Sequence, residues 1–308
     1  MGWQEIDGTD SSATGGKRMR PTLAMLAADA VGGDLERATP IAVALEYVHN
    51  FSLIHDDLED MDRTRHHRPT VWAVWGKPAA IISGNAMLKI ADQAVWKLRS
   101  IGVEDSIALE AEAELTQQYL KMMEGQYLDI SFETEKSVSV LQYLDMIERK
   151  TGALIEASIY LGGLVGPRTG PDRQKAIALK AIGHELGRIF QIRDDVLGIW
   201  GGKETGKPVG ADIKRKKKAL PAIHALNMAR GASASRIGDI FQTQDDLNEK
   251  EIHEVLEIME SLKTQDYCQS IAAERWMDCK QMIKSLNLSG QTAKEFTELG
   301  EFLLVRES

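Results

Sequence analysis

Apolar side chains recur along this chain at intervals of three and four, the spacing that lines one face of an α-helix. The first such segment carries Leu23, Leu26, Ala27 and Ala30, and the second runs through Ile41, Ala44, Leu45 and Val48 to Phe51 and Ile54. Alternating β-branched runs of strand length are nearly absent, and Ala, Leu, Glu, Lys, Gln and Met supply good helix formers throughout. The eight prolines leave residues 79–166 and 222–308 without one, so long helices fit there. The pattern breaks at Gly32-Gly33, at Arg68-Pro69, from Gly166-Pro167 to Pro171, and from Gly201 to Pro208. It predicts an all-α protein of about ten helices. No linker, low-complexity stretch or fixed-period repeat interrupts it, so residues 1–308 are expected to form a single domain.

Composition narrows the class. Hydrophobic residues make up 43% of 308, and no run of 18 apolar residues lacks a charge, which predicts a globular protein without a membrane span. Lys and Arg total 37 against 46 for Asp and Glu; the net charge of -9 argues against general binding to nucleic acid or anionic membranes. Any anionic ligand must therefore be held by a local basic site. Cys268 and Cys279 are too few for a disulfide framework and point to a reducing compartment. The opening MGWQEIDGTD has neither a basic n-region nor an apolar h-region, and the expected location is the cytoplasm.

The sharpest chemical feature is HDDLEDMD, which places Asp56, Asp57 and Asp60 at i, i+1 and i+4. Asp56 and Asp60 then share one helix face about 6 Å apart, where two carboxylates repel unless a cation lies between them. Hard oxygens suit Mg²⁺, which binds through one or two carboxylates plus substrate phosphates. Taken alone, such a run is as often a solvated helix face. A second acidic pair shifts the balance: in GRIFQIRDDVLG, Gln191, Asp194 and Asp195 share a face opposite Ile189, Ile192 and Val196. Carboxylates on two core-like helices are costly to bury unpaired, and a polynuclear metal site between them accounts for both.

Phosphate in turn needs positive charge. GGKRMRP supplies Lys17, Arg18 and Arg20 on a Gly-rich approach to a helix. Arg65, Lys150, Lys207 and the basic run 214–218 add further cations. Each alone is more often a solvated charge; with the two acidic pairs they describe a cavity for diphosphates. The stretch GGKETGK matches a P-loop in outline, but Pro208 stands where the Mg²⁺-binding Ser or Thr would be, and no strand precedes it. The acidic pair Asp245-Asp246, before Asn248, reads instead as the exposed approach to a late helix.

In combination these residues resemble the trans-isoprenyl diphosphate synthases of the polyprenyl synthetase family. The likeness runs in order from GGKRMRP through EYVHNFSLIHDDLEDMD, RHHRPT, GQYLD and ERKTGALIEAS to FQIRDDVLG and DIKRKKKALP. It implies the isoprenoid synthase fold, helices around a deep central cavity, a homodimer and a trio of Mg²⁺ ions. It also implies head-to-tail condensation of isopentenyl diphosphate with an allylic diphosphate (dimethylallyl, geranyl or farnesyl). Asp56, Asp60 and Asp194 match the family's metal-holding positions, with Asp57 and Asp195 beside them. Lys150, Lys207 and Arg65 match the cations on the leaving diphosphate, and Lys17, Arg20 and His49 those on isopentenyl diphosphate. Thr151 and Gln191 match polar groups facing the allylic cation, and Lys217 a lysine near the same anion. The released diphosphate is the implied base.

Three departures stand out: Gly198 replaces the third Asp of many members, His66 follows Arg65 where Arg-Arg is typical, and the family's N-terminal helix is expected to be missing. Phe51, five residues before Asp56, with small Ser52 beside it, resembles geranylgeranyl-type members. That implies a C20 product with C15 the nearest alternative, although Met87 or Tyr127 could set the floor instead. Two rivals remain. One is a non-catalytic partner subunit of a heteromeric synthase. The other is a class I terpene cyclase, whose second metal helix carries Asn, Ser and Glu where this chain has Asp194 and Asp195.

Overall fold

A computed structural model describes residues 18–65, 68–169, 172–202, 208–243 and 245–305. Helices dominate it as the periodicity predicts: α1 Met19–Ala30, α2 Leu35–Glu59, α3 Val71–Trp75, α4 Lys77–Ser100, α5 Asp105–Thr134, α6 Val140–Ile147, α7 Ala153–Val165, α8 Arg173–Trp200, α9 Ala211–Lys214, α10 Leu220–Met228, α11 Gly231–Gln242, α12 Glu249–Ser261, α13 Thr264–Ser285 and α14 Gly290–Val305. A π-helical turn, Glu148–Gly152, joins α6 to α7. The segments outnumber the ten expected because short pieces such as α3 and α9 are cut off by glycines at positive φ, Gly76 (85°) before α4 and Gly210 (74°) before α9. The one strand pair among the described residues is β1 Thr64–Arg65 against β2 Arg68–Pro69, antiparallel. None of the described helices is long and apolar enough to cross a membrane.

The chain forms two compact units. The first comprises residues up to Tyr119 together with Ala157–Lys180; the second comprises Leu120–Glu156 and Ala181–Ser308. In the first, α2 packs against α1 and α4 over a core that includes Leu23, Ile41, Leu45, Val48, Val95, Leu98, Leu161 and Val165. Gly162 brings α7 against the backbone of α1: a Cβ there would stand 2.8 Å from the carbonyl carbon of Ala24. The break at Gly32-Gly33 is a true stop, since Asp34 caps α2 through the Glu36 amide.

Two buried clusters stand out among the described residues of the second unit. One gathers Phe132, Tyr143, Met146, Ile192, Val196 and Leu220; the other gathers Ile199, Ile213, Ile240, Val255 and Met259. Both cysteines are free and buried, and burial pushes the Cys279 thiol up to about 12, so they are inert core residues. Asp245 and Asp246 are exposed, and Asn248 caps α12 in a reciprocal box with Glu251.

Candidate active site

In the first unit the acidic segment closes α2. Asp56 is half-buried in the last turns, Asp57 is buried, and Asp60 is the exposed C-cap. The chain then turns through Met61 at φ 55° and returns along β1, carrying Arg65 back onto the helix. Its Nη2 donates to Asp56 Oδ2 at 2.9 Å and its Nε to Asp57 Oδ1 at 2.5 Å. Burial pushes the Asp57 carboxyl above the usual carboxylate range, with Arg65 opposing. Burial alone would lower Arg65, but Asp57 and Asp56 outweigh it and hold the guanidinium charged. Thr70 Oγ1 and Trp72 Nε1 both donate to the Asp62 carbonyl, at 2.8 and 2.7 Å, and pin the return loop.

One turn back along α2, the Phe51 ring meets His55 edge-on, centroids 4.8 Å apart, and Ser52 donates its hydroxyl to the His49 carbonyl. His55 needs Gly84, because a side chain there would overlap its imidazole. His49 is half-buried on the same helix, one turn after Glu46. Glu46 acts in turn on Arg20 of α1, whose guanidinium is pulled down to about 10 by burial, with Glu46 opposing. The Arg20 Nε is buried without a partner, the condition in which a guanidinium takes up an anion. Of the alternative floor residues, Tyr127 is 72% exposed on α5, and Met87 is half-buried on α4.

The second unit assembles a polar web around α8. Asp195, buried in the core, accepts from the Tyr143 hydroxyl, from Gln191 Nε2 at 3.0 Å and from the Leu220 amide at 3.2 Å. Gln191 Oε1 accepts from the Thr151 hydroxyl at 2.7 Å. Burial pushes the Asp195 carboxyl up to about 6 against the pull of Lys217 and its hydrogen bonds. Lys217 is half-buried, and although desolvation opposes its charge, Asp195, Asp212, Asp129 and Asp194 together keep it an ammonium. Lys150 binds Asp129 Oδ2 at 2.5 Å. The structure therefore brings Lys150, Thr151, Gln191, Asp194, Asp195 and Lys217 into one network.

Lys150 and Thr151 stand on the π turn, an irregularity common at functional sites. Glycines hold it from two sides. A Cβ at Gly125 would lie 2.6 Å from Lys150 Cα, and one at Gly187 would lie 2.7 Å from Gly152 Cα. The web also contains residues not singled out from the sequence: Asp129, Tyr143 and Asp212. Asp129 ends the GQYLD segment and Asp212 opens DIKRKKK, so both had a signal in their motifs; Tyr143 sits in an apolar helix and had none. Lys17, His66 and Lys207 lie outside the described residues.

The Asp195 shift carries a sign for stability. Its folded pKa exceeds the unfolded value, so the folded state holds the extra proton between about pH 4 and 6 and loses stability as pH rises through that window. The stability advantage of the wild type over Asp195→Asn is expected to shrink across the same window, read by urea unfolding. Parallel pH profiles for the two proteins would remove the assignment.

The carboxylates fit a hard divalent cation in kind. Among the described residues no group of three or more His, Cys, Asp or Glu could hold an ion unaided. Oxygens supplied by a diphosphate would complete the shell, the usual situation for Mg²⁺.

Helix-borne carboxylates, a buried guanidinium nitrogen without a partner and lysines held among carboxylates define an α-helical enzyme of diphosphate chemistry. Residues 8–259 match the family described as Polyprenyl synthetase. A (2E,6E)-farnesyl diphosphate synthase of Mycobacterium tuberculosis is 36% identical over 314 residues, covering 100% of this chain and 84% of that protein. A geranylgeranyl diphosphate synthase of the same organism is 40% identical over 243 residues, covering 79% and 67%. The crystal structure of a polyprenyl synthetase from Streptomyces coelicolor superposes with a TM-score of 0.90 at 35% identity, covering 99% of this chain and 89% of that one. The chain belongs to the polyprenyl synthetase family and has its isoprenoid synthase fold. It is a short-chain prenyltransferase that joins isopentenyl diphosphate to an allylic diphosphate.

Proposed function

We propose that the enzyme makes mainly geranylgeranyl diphosphate, with farnesyl diphosphate the nearest alternative, and that it does so as a Mg²⁺-dependent homodimer in the cytoplasm. The observation that carries the product length is Phe51, buried on α2 with its ring edge on His55, next to small Ser52. One aromatic at this depth leaves room for a longer chain than two would. Phe51→Ala is expected to lengthen the product by at least one isoprene unit, read by chromatography of the dephosphorylated alcohols. An unchanged distribution would place the floor elsewhere.

Asp56, Asp60 and Asp194 hold a trio of Mg²⁺ ions, with Asp57 and Asp195 fixed beside them by their own partners. Bound Mg²⁺ supplies neutralisation of the departing diphosphate. Arg65, Lys150 and Lys207 hold that same diphosphate, with Lys217 nearby. Thr151 and Gln191 turn oxygens toward the developing allylic cation. Lys17, Arg20 and His49 hold isopentenyl diphosphate and set its double bond in place, so much of the acceleration is proximity. The released diphosphate takes the final proton.

The family match extends over residues 8–259 and so takes in parts of both compact units, which supports reading them as one synthase domain. The homodimer is supported by apolar side chains left open to solvent, Ile82 and Trp96 on α4 and Leu120, Tyr127 and Ile130 on α5. Sedimentation velocity tests it.

Pure protein with Mg²⁺, labelled isopentenyl diphosphate and each allylic primer provides the main assay. No product with any primer would favour the non-catalytic subunit. Hydrocarbon from geranylgeranyl diphosphate alone would favour the cyclase.

A further inference from the structure

The basic run at 214–218 does not act as one surface patch. Lys214 and Arg215 are exposed, but Lys216, Lys217 and Lys218 are half-buried, and their ammonium groups point to three different partners. Lys216 Nζ donates to the carbonyls of Thr243 and Asp245, at 2.9 and 2.6 Å, in the connection between α11 and α12. Lys218 Nζ donates to the Phe132 carbonyl at 2.6 Å and to the carbonyls of Glu133 and Glu135, covering the C-terminal end of α5. Lys217, between them, feels the charges of Asp195, Asp212, Asp129 and Asp194.

The backbone beneath this run is strained at one residue. The Lys216 amide donates to the Ile213 carbonyl at 2.8 Å and the Lys217 amide to the Asp212 carbonyl at 2.9 Å, the paired bonds that end a helix through a left-handed residue. Glycine usually fills that place, because a Cβ there crowds the following carbonyl oxygen. Here it is Lys216, at φ 54°. An unfavourable conformation persists only where the surroundings over-determine it, and the two carbonyls held by the Lys216 ammonium supply that restraint. The same turn sets the direction in which the next side chain, Lys217, leaves the backbone.

We propose that Lys216 is a positioning residue for Lys217. Anchored to the connection between α11 and α12, it locks the turn after α9 and so fixes where the Lys217 ammonium stands, while Lys218 holds the run from the other side. The proposal rests on the reading that Lys217 lies near the leaving diphosphate. Without the anchor the turn keeps its backbone bonds but can rock, and Lys217 is away from the diphosphate for part of the time. The loss then falls on kcat and spares the binding of isopentenyl diphosphate.

The test is a double-mutant cycle on the full-length enzyme: wild type, Lys216→Met, Lys217→Met and the double variant, each followed by circular dichroism, melting temperature and condensation kinetics. Lys216→Met is expected to lower kcat about tenfold while the KM for isopentenyl diphosphate stays within about threefold. In the Lys217→Met background the same change is expected to alter kcat less than about twofold, because no ammonium is left to aim. Lys216→Gly takes up positive φ without strain, and is expected to lose kcat as Lys216→Met does without melting below it.

A kcat in Lys216→Met within about twofold of wild type, beside a defective Lys217→Met, overturns the proposal alone. So does an equal loss in both backgrounds, the mark of a merely structural contact. Should Lys216→Met not fold, Lys216→Gly takes its place in the cycle and decides. Normal kcat in Lys217→Met would instead overturn the reading of Lys217 near the diphosphate, and leave Lys216 nothing to position.

Discussion

Alanine at Asp56 or at Asp194 is expected to lower turnover by about three orders of magnitude or more, with helicity unchanged by circular dichroism. Neither residue sits in a buried apolar cluster. Asp56 is half-buried at the end of α2, and its partner Arg65 keeps a second carboxylate at Asp57. Asp194 is half-buried beside the wholly buried Asp195, whose bonds to Tyr143, Gln191 and Leu220 hold α8 in place without it. The loss should therefore fall on kcat and on the Mg²⁺ concentration needed for half-maximal rate. Activity within tenfold of wild type would show that the carboxylate holds nothing essential; loss of helicity would show a structural role.

Gly125→Ala is expected to lower activity by about a hundredfold and stability by about 1–3 kcal/mol. The added methyl would meet main-chain atoms of Arg149 and Lys150, which cannot swing aside as a side chain can. Relief requires the π turn to move, and Lys150 and Thr151 move with it. The effect should appear in the kcat of condensation and in the urea midpoint together. Gly238→Ala in α11 is the matched control: its Cβ meets nothing within 4 Å, and replacing a helical glycine should stabilise the fold by up to about 1 kcal/mol. A Gly125→Ala enzyme with normal kcat would show that the turn tolerates displacement.

The all-α class, the stop at Gly32-Gly33 and the helix-borne acidic segments were legible because periodicity and punctuation report burial and chain breaks directly. Asp56 and Asp57 looked alike in the text, yet one residue is about 100° around a helix, enough to turn one carboxylate half outward and bury the other. Arg65 was legible as a cation, but its seat on the acidic motif depends on the turn at Met61, where a non-glycine residue takes positive φ without a sequence signal. Asp129 and Tyr143 escaped because they act as partners of Lys150 and Asp195, residues far away in sequence. Asp212 opens the DIKRKKK segment, but its contact with Gly198 joins two helices and is written in neither motif alone. The close backbone approaches at Gly125, Gly162 and Gly187 are likewise properties of pairs of segments, invisible to a single-chain periodicity.

Every residue from Thr151 to Gly166, and so all of α7, is buried. Its amide protons can reach deuterated solvent only through the largest opening the molecule undergoes, so their exchange rate reports global unfolding rather than local fraying. A ligand bound only by the folded state slows that exchange by a factor that grows with the ratio of free ligand to Kd, even after the site is nearly full. The protection of this one helix thus offers a direct scale of affinity for Mg²⁺, diphosphate or either substrate, measurable without catalytic turnover.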